Sequence, residues 1–456
     1  MSLFSSPLSR GVRSSLLAAV LALAAPLASF AQTPPPAAPK RELTEKVHQA
    51  AQVLQKLIDE QKWDELIAQT TTILATVEPA SFDTAYLSQL KVQGLLGKAD
   101  YKGAIAPLET ALSLSERYNF FGDKDLELIW LLSQLYGQIA SAAEPNSAVQ
   151  RENYAKAYTT LRRWLDRTPK PNPDAQYFAA SILYNQALYD NKVDKAILQQ
   201  AQVEAEKGLR MSIKPKEQFY ALLMAISQQL GDFPKTAEYL ELLVKEYPKN
   251  KSYWQNLLNA YLVQDTKGYV SAINTLERAQ KLGLLNEKRD NFTLVGLHLN
   301  AQEYAIAADL FEAGLRNGTL ESEQKNWELL ATCYQQTRKD AKAIATLKEA
   351  IKLFPKAATL DLQVGNLYYM GDKYEDALVY MKSAVTKGLD KPQQLQALSY
   401  IAYLGLELKK LDDAKWAADK AIELDPNSKG AKDLQAAVNT AIEERNAQLK
   451  ATTVTR

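Results

Sequence analysis

His48, His298 and Cys333 are the whole supply of imidazole and thiol in a chain of 456 residues. An imidazole relay, a thiolate nucleophile or a His-rich metal site draws on several such groups held together. Here they lie far apart, and neither histidine has a partner set at a motif spacing. No Gly-rich phosphate loop, paired-His helix motif or nucleophile elbow occurs either. With 53 acidic side chains any two carboxylates can be chosen, so spacing assigns no glycosidase pair. The chemistry that remains is noncovalent: amides, hydroxyls and tyrosine rings that can hold a peptide backbone or stack on a sugar. The chain is therefore expected not to be an enzyme, and no metal or cofactor is expected.

Such side chains work only if a scaffold presents them in rows. Apolar residues make up 46% of the chain and charged ones 23%, the balance of a folded, soluble protein. The 54 basic and 53 acidic groups cancel to a formal charge of +1, so no nucleic acid or anionic membrane is called for as a partner. Structural disulfides within the chain are excluded by its single Cys.

The scaffold shows itself as a rhythm of small, aromatic and proline residues that returns every 34 to 37 residues from positions 217, 251, 288, 324, 358 and 395. The copy from Gln324 is the clearest, with Trp327, Leu330, Ala331 and Tyr334, then Ala343, Leu347, Ala350 and Pro355. Both sets follow the 3.6-residue period, so they mark the facing sides of two helices. Small residues such as Ala331, Gly365, Ala343 and Ala377 permit close approach, while Trp327, Tyr334 and Tyr368 fill the space between successive pairs. Prolines 248, 355 and 426 sit where a second helix must stop.

Nine or ten helical pairs can be placed. The first half follows the pattern loosely: residues 140–151 (ASAAEPNSAVQR) look like an insertion, Pro107 falls inside a second helix where it could kink it, and Val47–Leu57 with Trp63–Val77 is the faintest pair. After Pro426 an amphipathic stretch with Leu434, Val438, Ala441, Ile442 and Leu449 on one side reads as a cap over the last pair.

This pattern resembles the tetratricopeptide repeat. The resemblance implies an all-α fold, a right-handed α-solenoid of stacked antiparallel helix pairs. In that family the concave wall is lined by first-helix residues at offsets 2, 5, 9 and 12 of each copy. Those offsets fall here on Gln218, Ala221, Ala225 and Gln228, then on Ser252, Gln255, Asn259 and Leu262. Further on they fall on Lys325, Glu328, Thr332 and Gln335, on Thr359, Leu362, Asn366 and Tyr369, and on Gln396, Ser399, Tyr403 and Leu406. The wall is thus mainly amide, hydroxyl and aromatic, with Asn259 and Asn366 at one offset suited to an extended peptide. His298 falls where other copies carry Tyr261, Tyr334 and Tyr368, so it is expected to pack in the core. His48 is expected at the surface and Cys333 as a small packing residue.

Arg10 and Arg13 precede an uncharged run, Leu16 to Phe30, and Ser29 and Ala31 stand at the small-x-small spacing of signal peptidase sites. Residues 1–31 thus read as an export signal cut after Ala31, leaving no membrane span and placing the mature chain in the periplasm or outside the cell. The rest divides into a Pro-rich linker over 32–40, irregular pairs over 41–216, a regular array over 217–428, a capping helix over 429–450 and a disordered tail over 451–456.

An exported scaffold holding a protein or peptide partner in the cell envelope is the leading expectation. Segments such as Glu246–Tyr261 (EYPKNKSYWQNLLNAY) are similar to the repeat proteins that accompany TonB-type transport systems. The alternative is an envelope-assembly or cell-wall factor that binds glycan, with Tyr369 and Tyr403 as stacking platforms. Self-association through the irregular first half is a third.

Overall fold

The computed structural model describes residues 40–454 apart from 171, so the signal and all but the last residue of the linker lie outside the described residues. Among the described residues every regular element is helical, with 21 α-helices that stack as antiparallel neighbours in an α-solenoid. They fall into two compact units that part between Tyr247 and Pro248. The 216/217 boundary read from the sequence marks a change of regularity, one pair earlier.

The first unit holds α1 (Glu45–Asp59), α2 (Trp63–Leu74), α3 (Phe82–Gly97), α4 (Tyr101–Tyr118), α5 (Asp125–Ala142), α6 (Ala148–Arg167), α7 (Pro173–Gln186), α8 (Lys195–Arg210), α9 (Glu217–Leu230) and α10 (Phe233–Glu246). The second holds α11 (Lys251–Leu262), α12 (Tyr269–Lys281), α13 (Lys288–Asn300), α14 (Tyr304–Asn317), α15 (Gln324–Gln336), α16 (Asp340–Leu353), α17 (Ala358–Met370), α18 (Tyr374–Lys387), α19 (Lys391–Glu407), α20 (Leu411–Leu424) and α21 (Lys429–Val454).

Local chemistry sets the boundaries. Asp100, Ser147, Asn172, Asp232 and Asp390 each accept a hydrogen bond from a backbone N–H in the first turn that follows, satisfying a donor the helix cannot use itself. Gly231 and Gly318 take φ near +79° and +77° to end α9 and α14. Pro248, Pro355 and Pro426 each come two residues after the ends of α10, α16 and α20, where the repeat pattern puts them.

Inside each pair the small residues sit at the closest approach. Ala104, Ala157, Ala343, Ala377 and Ala414 are fully buried, and so are the large side chains Tyr154 and Phe311 between them. Each buried Leu or Phe of such a seam contributes about 2 kcal/mol of transfer free energy. No pair closes its seam alone, so stability rests on stacking.

The expected insertion at 140–151 is absorbed into helix. It lengthens α5 and α6 to 18 and 20 residues and leaves only residues 143–147 between them, because Ala and Ser there continue a helix and Ser147 caps the next. Helix α4 runs on through Pro107, whose missing N–H would have served the Gly103 carbonyl. At the end of the chain Ala431 and Val438 of the capping helix α21 are buried while its Leu449 is exposed. Helix α21 runs to Val454, and residues 451–454 contain no Gly or Pro to stop it.

Candidate peptide-binding surface on the first helices

Helices α11, α15, α17 and α19 carry the residues that the repeat offsets assign to a binding wall in the second unit. Ser252, Gln255 and Asn259 on α11 are exposed, as are Thr332 on α15 and Ser399 and Tyr403 on α19. Gln335 on α15 and Asn366 and Tyr369 on α17 are half-buried. Gln218, half-buried, and Gln228, exposed, lie on α9 in the first unit.

Two hydroxyls are already engaged. Thr332 donates to the Glu328 carbonyl at 2.9 Å and Ser399 to the Leu395 carbonyl at 2.9 Å, each within its own helix. They keep lone pairs for a ligand and no free proton. The Asn259 and Asn366 amides have no hydrogen-bonding partner among the described residues. They are not neighbours: α13 and α15 come between them, with Gly296 and Thr332 at the same offset. Continuity between adjacent helices comes from other residues. Gln324 donates to Glu328 at 2.8 Å and to the Thr359 hydroxyl at 2.9 Å, and Thr359 donates to Glu328 at 3.1 Å, tying α15 to α17.

Tyr369 and Tyr403 do come together, with ring centres 6.3 Å apart and planes at 78°. Two tyrosines outside the assigned offsets join them. Tyr400 lies 4.9 Å from Tyr369, and Tyr374, the first residue of α18, lies 5.8 Å from it. The Tyr374 hydroxyl donates to Asp372 at 3.2 Å, which pushes its pKa up, and the Glu407 charge does the same for Tyr403. Both rings therefore stay neutral donors at physiological pH. Tyr403 is 42% exposed, so the cluster is open to solvent.

Between pairs a second tyrosine device recurs. Tyr334 on α15 donates to Glu312 of the preceding α14 at 2.7 Å, and Lys348 on α16 donates to Tyr368 on α17 at 2.6 Å. Burial and the carboxylate raise the Tyr334 pKa, while the Tyr334 hydroxyl and Arg316 hold Glu312 low. His298 takes this place on α13. It is buried as expected, yet its Nδ1 turns to Glu303 of its own pair at 2.7 Å, leaving Nε2 buried with no partner among the described residues. His48 is exposed. Cys333 is fully buried, and burial pushes its thiol up to about 11, far from a reactive thiolate. Among the described residues no group of acids, His and Cys is placed to hold a metal ion, and no helix is long and apolar enough to cross a membrane.

Sequence reasoning missed a cleft in the first unit. It has a volume of about 820 Å³ and runs between α4 and α6 over Leu132 and Tyr136 of α5. Its charges are matched: Glu116 accepts from Arg163 at 2.5 Å, and Lys156 pairs with Glu152 at 2.7 Å and lies over the Tyr136 ring. Tyr136 donates to Glu109, repeating the tyrosine device of the regular array. These residues belong mostly to second helices, which the family offsets do not read.

The profile of the tetratricopeptide repeat matches residues 292–358, from α13 to the first residue of α17, where signature spacing and antiparallel packing coincide. The chain carries tetratricopeptide repeats. Several solved structures are similar to it. A crystal structure of MamA shares 19% identity over 38% of this chain and 91% of its own, with a TM-score of 0.29. YrrB, described as a TPR protein with an unusual peptide-binding site, shares 18% over 44% of this chain and 99% of its own, with a TM-score of 0.32. PilF of Pseudomonas aeruginosa shares 16% over 58% of this chain and 97% of its own, at 0.27. No match was found among curated proteins. Tetratricopeptide repeats serve as protein-interaction scaffolds.

Proposed function

We propose that the chain is a non-catalytic adaptor that holds an extended protein segment along the first helices of its second unit. The observation that carries this is the open tyrosine cluster beside the unbonded Asn366 amide. Rings with free faces supply area at low conformational cost, and an amide without an internal partner can both donate to and accept from a peptide backbone. Every engaged wall hydroxyl retains acceptor capacity for a backbone N–H.

The setting we propose is the cell envelope, reached through the export signal over residues 1–31, with a TonB-type energy-transducing transport system as the machine served. The export reading is supported by the Arg10/Arg13 and Leu16–Phe30 pattern, and the TonB link by the resemblance of Glu246–Tyr261.

A pull-down from an envelope fraction with the chain from Gln32, read by mass spectrometry and repeated with N259A/N366A and with Tyr403→Ala, tests both levels. Loss of a partner in either variant, with helix content unchanged, is expected. A partner retained by both variants would move the site off this wall. Recovery of transport-motor proteins supports the TonB setting, and recovery of unrelated envelope proteins rejects it while leaving the wall intact. The tyrosine cluster also favours a second reading, glycan stacking, which a cell-wall fragment binding the chain and losing affinity with Tyr403→Ala would establish.

A further inference from the structure

We propose that the cleft between α4 and α6 in the first unit is a docking groove for a proline-rich segment, and that its occupant is this chain's own Thr33–Lys40. The inference concerns the first unit alone and does not depend on what the first-helix wall of the second unit binds. It starts from three hydroxyls. Ser113 of α4 and Thr159 and Thr160 of α6 line the cleft, and none of them has a hydrogen-bonding partner among the described residues. Helical hydroxyls elsewhere in this unit donate to the carbonyl four residues back, as those of Thr70, Thr71, Thr72 and Thr110 do. Thr160 is only 6% exposed, yet its hydroxyl stays unspent at the cleft. A groove that offers donors fits a chain that offers acceptors. The segment reads TPPPAAPK; its four prolines carry no N–H, and a polyproline II helix leaves every carbonyl without an internal partner. Leu132 and Tyr136 of α5 and Ala155 of α6 supply apolar surface on which pyrrolidine rings can pack.

The segment joins the described chain beside the mouth of this cleft, within the same unit. Thr44 donates its N–H and its hydroxyl to Asp83 at the start of α3, at 3.0 and 2.7 Å. Phe82, next to Asp83, packs on Phe120 and Phe121, which lead into α5. Three residues before Thr44, the Arg41 charge acts on the Asp125 carboxyl at the start of α5. Arg167 stands 4.0 Å from that carboxyl, and Arg167 and Arg163 both donate to Glu116, which lines the cleft. Followed backward from Thr44 to Arg41, the chain therefore heads for the groove. Length is sufficient. Along α6 the cleft runs from Arg163 to Glu152, about 17 Å at the helical rise, and eight residues of polyproline II span about 25 Å. A short tether also holds the segment at an effective concentration on the order of millimolar, so modest intrinsic affinity fills the groove.

The test is disulfide trapping in the chain from Gln32, read at equilibrium in a buffer of reduced and oxidised glutathione, which gives the effective concentration of two thiols for each other. Thr33→Cys is paired with Ala155→Cys in the groove or with Ala68→Cys on α2; Ala155 and Ala68 are both exposed, and the native Cys333 is fully buried and stays out of the exchange. The groove pair should reach an effective concentration about tenfold above the α2 pair. Ser113→Ala/Thr159→Val, which removes two donors at exposed positions, should bring the groove pair down by about tenfold and leave the α2 pair within about twofold. Equal values for the two pairs in chains with native circular dichroism would mean that the segment samples the surface freely, and would overturn the proposal. A preference for the groove that is indifferent to the hydroxyl substitutions would overturn it too. Partner capture by the N259A/N366A chain reports on the wall of the second unit and is independent of either result.

Discussion

Pair α5–α6 in the first unit and pair α15–α16 in the second close the same kind of seam with different lengths of helix. The first uses 18 and 20 residues, the second 13 and 14. Yet each sends a first-helix tyrosine hydroxyl to a carboxylate on the preceding second helix, Tyr136 to Glu109 and Tyr334 to Glu312. The repeat is thus specified by its contacts across the seam and between pairs, and the length of its helices is free to drift. What does differ is how tightly each unit constrains its small residues and how completely it satisfies its buried polar atoms.

The largest expected difference lies in the glycines. A Cβ on Gly405 of α19 would stand 2.8 Å from the Ala414 backbone nitrogen, so relief requires α19 and α20 to part. On Gly137 of α5 it would meet the edge of the Phe178 ring at 2.8 Å, and a ring can turn. Gly405→Ala should lose about 2 kcal/mol in urea unfolding, since overpacking of about 3 exceeds the ~1 that Ala adds to a helix. For Gly137→Ala the two effects should nearly cancel. Equal losses at both sites would mean that the seams of the two units are equally rigid.

Next comes a gain. Gln176 on α7 is fully buried with neither amide atom hydrogen-bonded, and Gln89 and Gln93 on α3 each leave one atom unpaired. In the second unit the buried Asn326 donates to the Glu321 carbonyl at 2.8 Å. An unpaired buried amide costs about 1–3 kcal/mol, so Gln176→Met should stabilise by about 1 kcal/mol while Asn326→Leu destabilises by a similar amount. A loss of stability in Gln176→Met would show that solvent reaches that amide.

Acid should act on two carboxyls, Asp125 of the first unit and Glu312 of the second, in opposite directions. Burial raises Asp125 above its ordinary 3.8, despite the Ser115 hydrogen bond and nearby Arg167. A carboxyl raised by folding favours its protonated form in the native state, so its penalty at neutral pH is relieved as pH falls toward 3.8. Glu312 is held below its ordinary 4.5 by the Tyr334 hydroxyl, so the stability it adds is present above 4.5 and is lost as pH falls below it. Stability measured against pH should therefore lose its acid-side gain in Asp125→Asn and part of its acid-side loss in Glu312→Gln. A pH profile unchanged by Asp125→Asn would mean that its carboxyl is not strained by burial.

Much of the second unit was legible because each copy repeats the same offsets, so a helix boundary or a small residue is fixed several times over. Trp327, Tyr334 and Ala343 mark their seam as plainly in sequence as in structure. The first unit was harder to read for a physical reason: Ala140 to Arg151 reads as an interruption when a period is expected, although only residues 143–147 leave the helix and the rest extends α5 and α6. At the candidate site the offsets brought Tyr369 and Tyr403 together but did not find Tyr374 or Tyr400, because the cluster forms where the end of one first helix meets the next pair. His298 shows the same limit. Its burial followed from its offset, whereas its turn toward Glu303 depends on the local loop geometry.

The smallest expected effect concerns Arg151, which holds the lengthened pair to the segment that follows α7. Its guanidinium meets Asp190 at 2.5 Å and lies 5.0 Å from the Tyr189 ring centre, and the Asp190 N–H donates to Asn146 at 3.0 Å. Both charged partners are largely exposed, at 42% and 54% of their side-chain surface, so the ion pair should contribute well under 1 kcal/mol. Asp190 nevertheless sits at φ 56°, a left-handed conformation that a non-Gly residue keeps only when its surroundings hold it. Arg151→Met keeps much of the stem and removes the charge. Global unfolding should then shift by less than about 0.5 kcal/mol, while amide exchange over residues 188–194 should speed up several-fold. Exchange unchanged there would show that the Asn146 hydrogen bond and the backbone bonds from Lys192 to Tyr189 and from Asp194 to Ala187 suffice to fix the turn, and that the longer helices of the first unit are joined to their neighbour without help from charge.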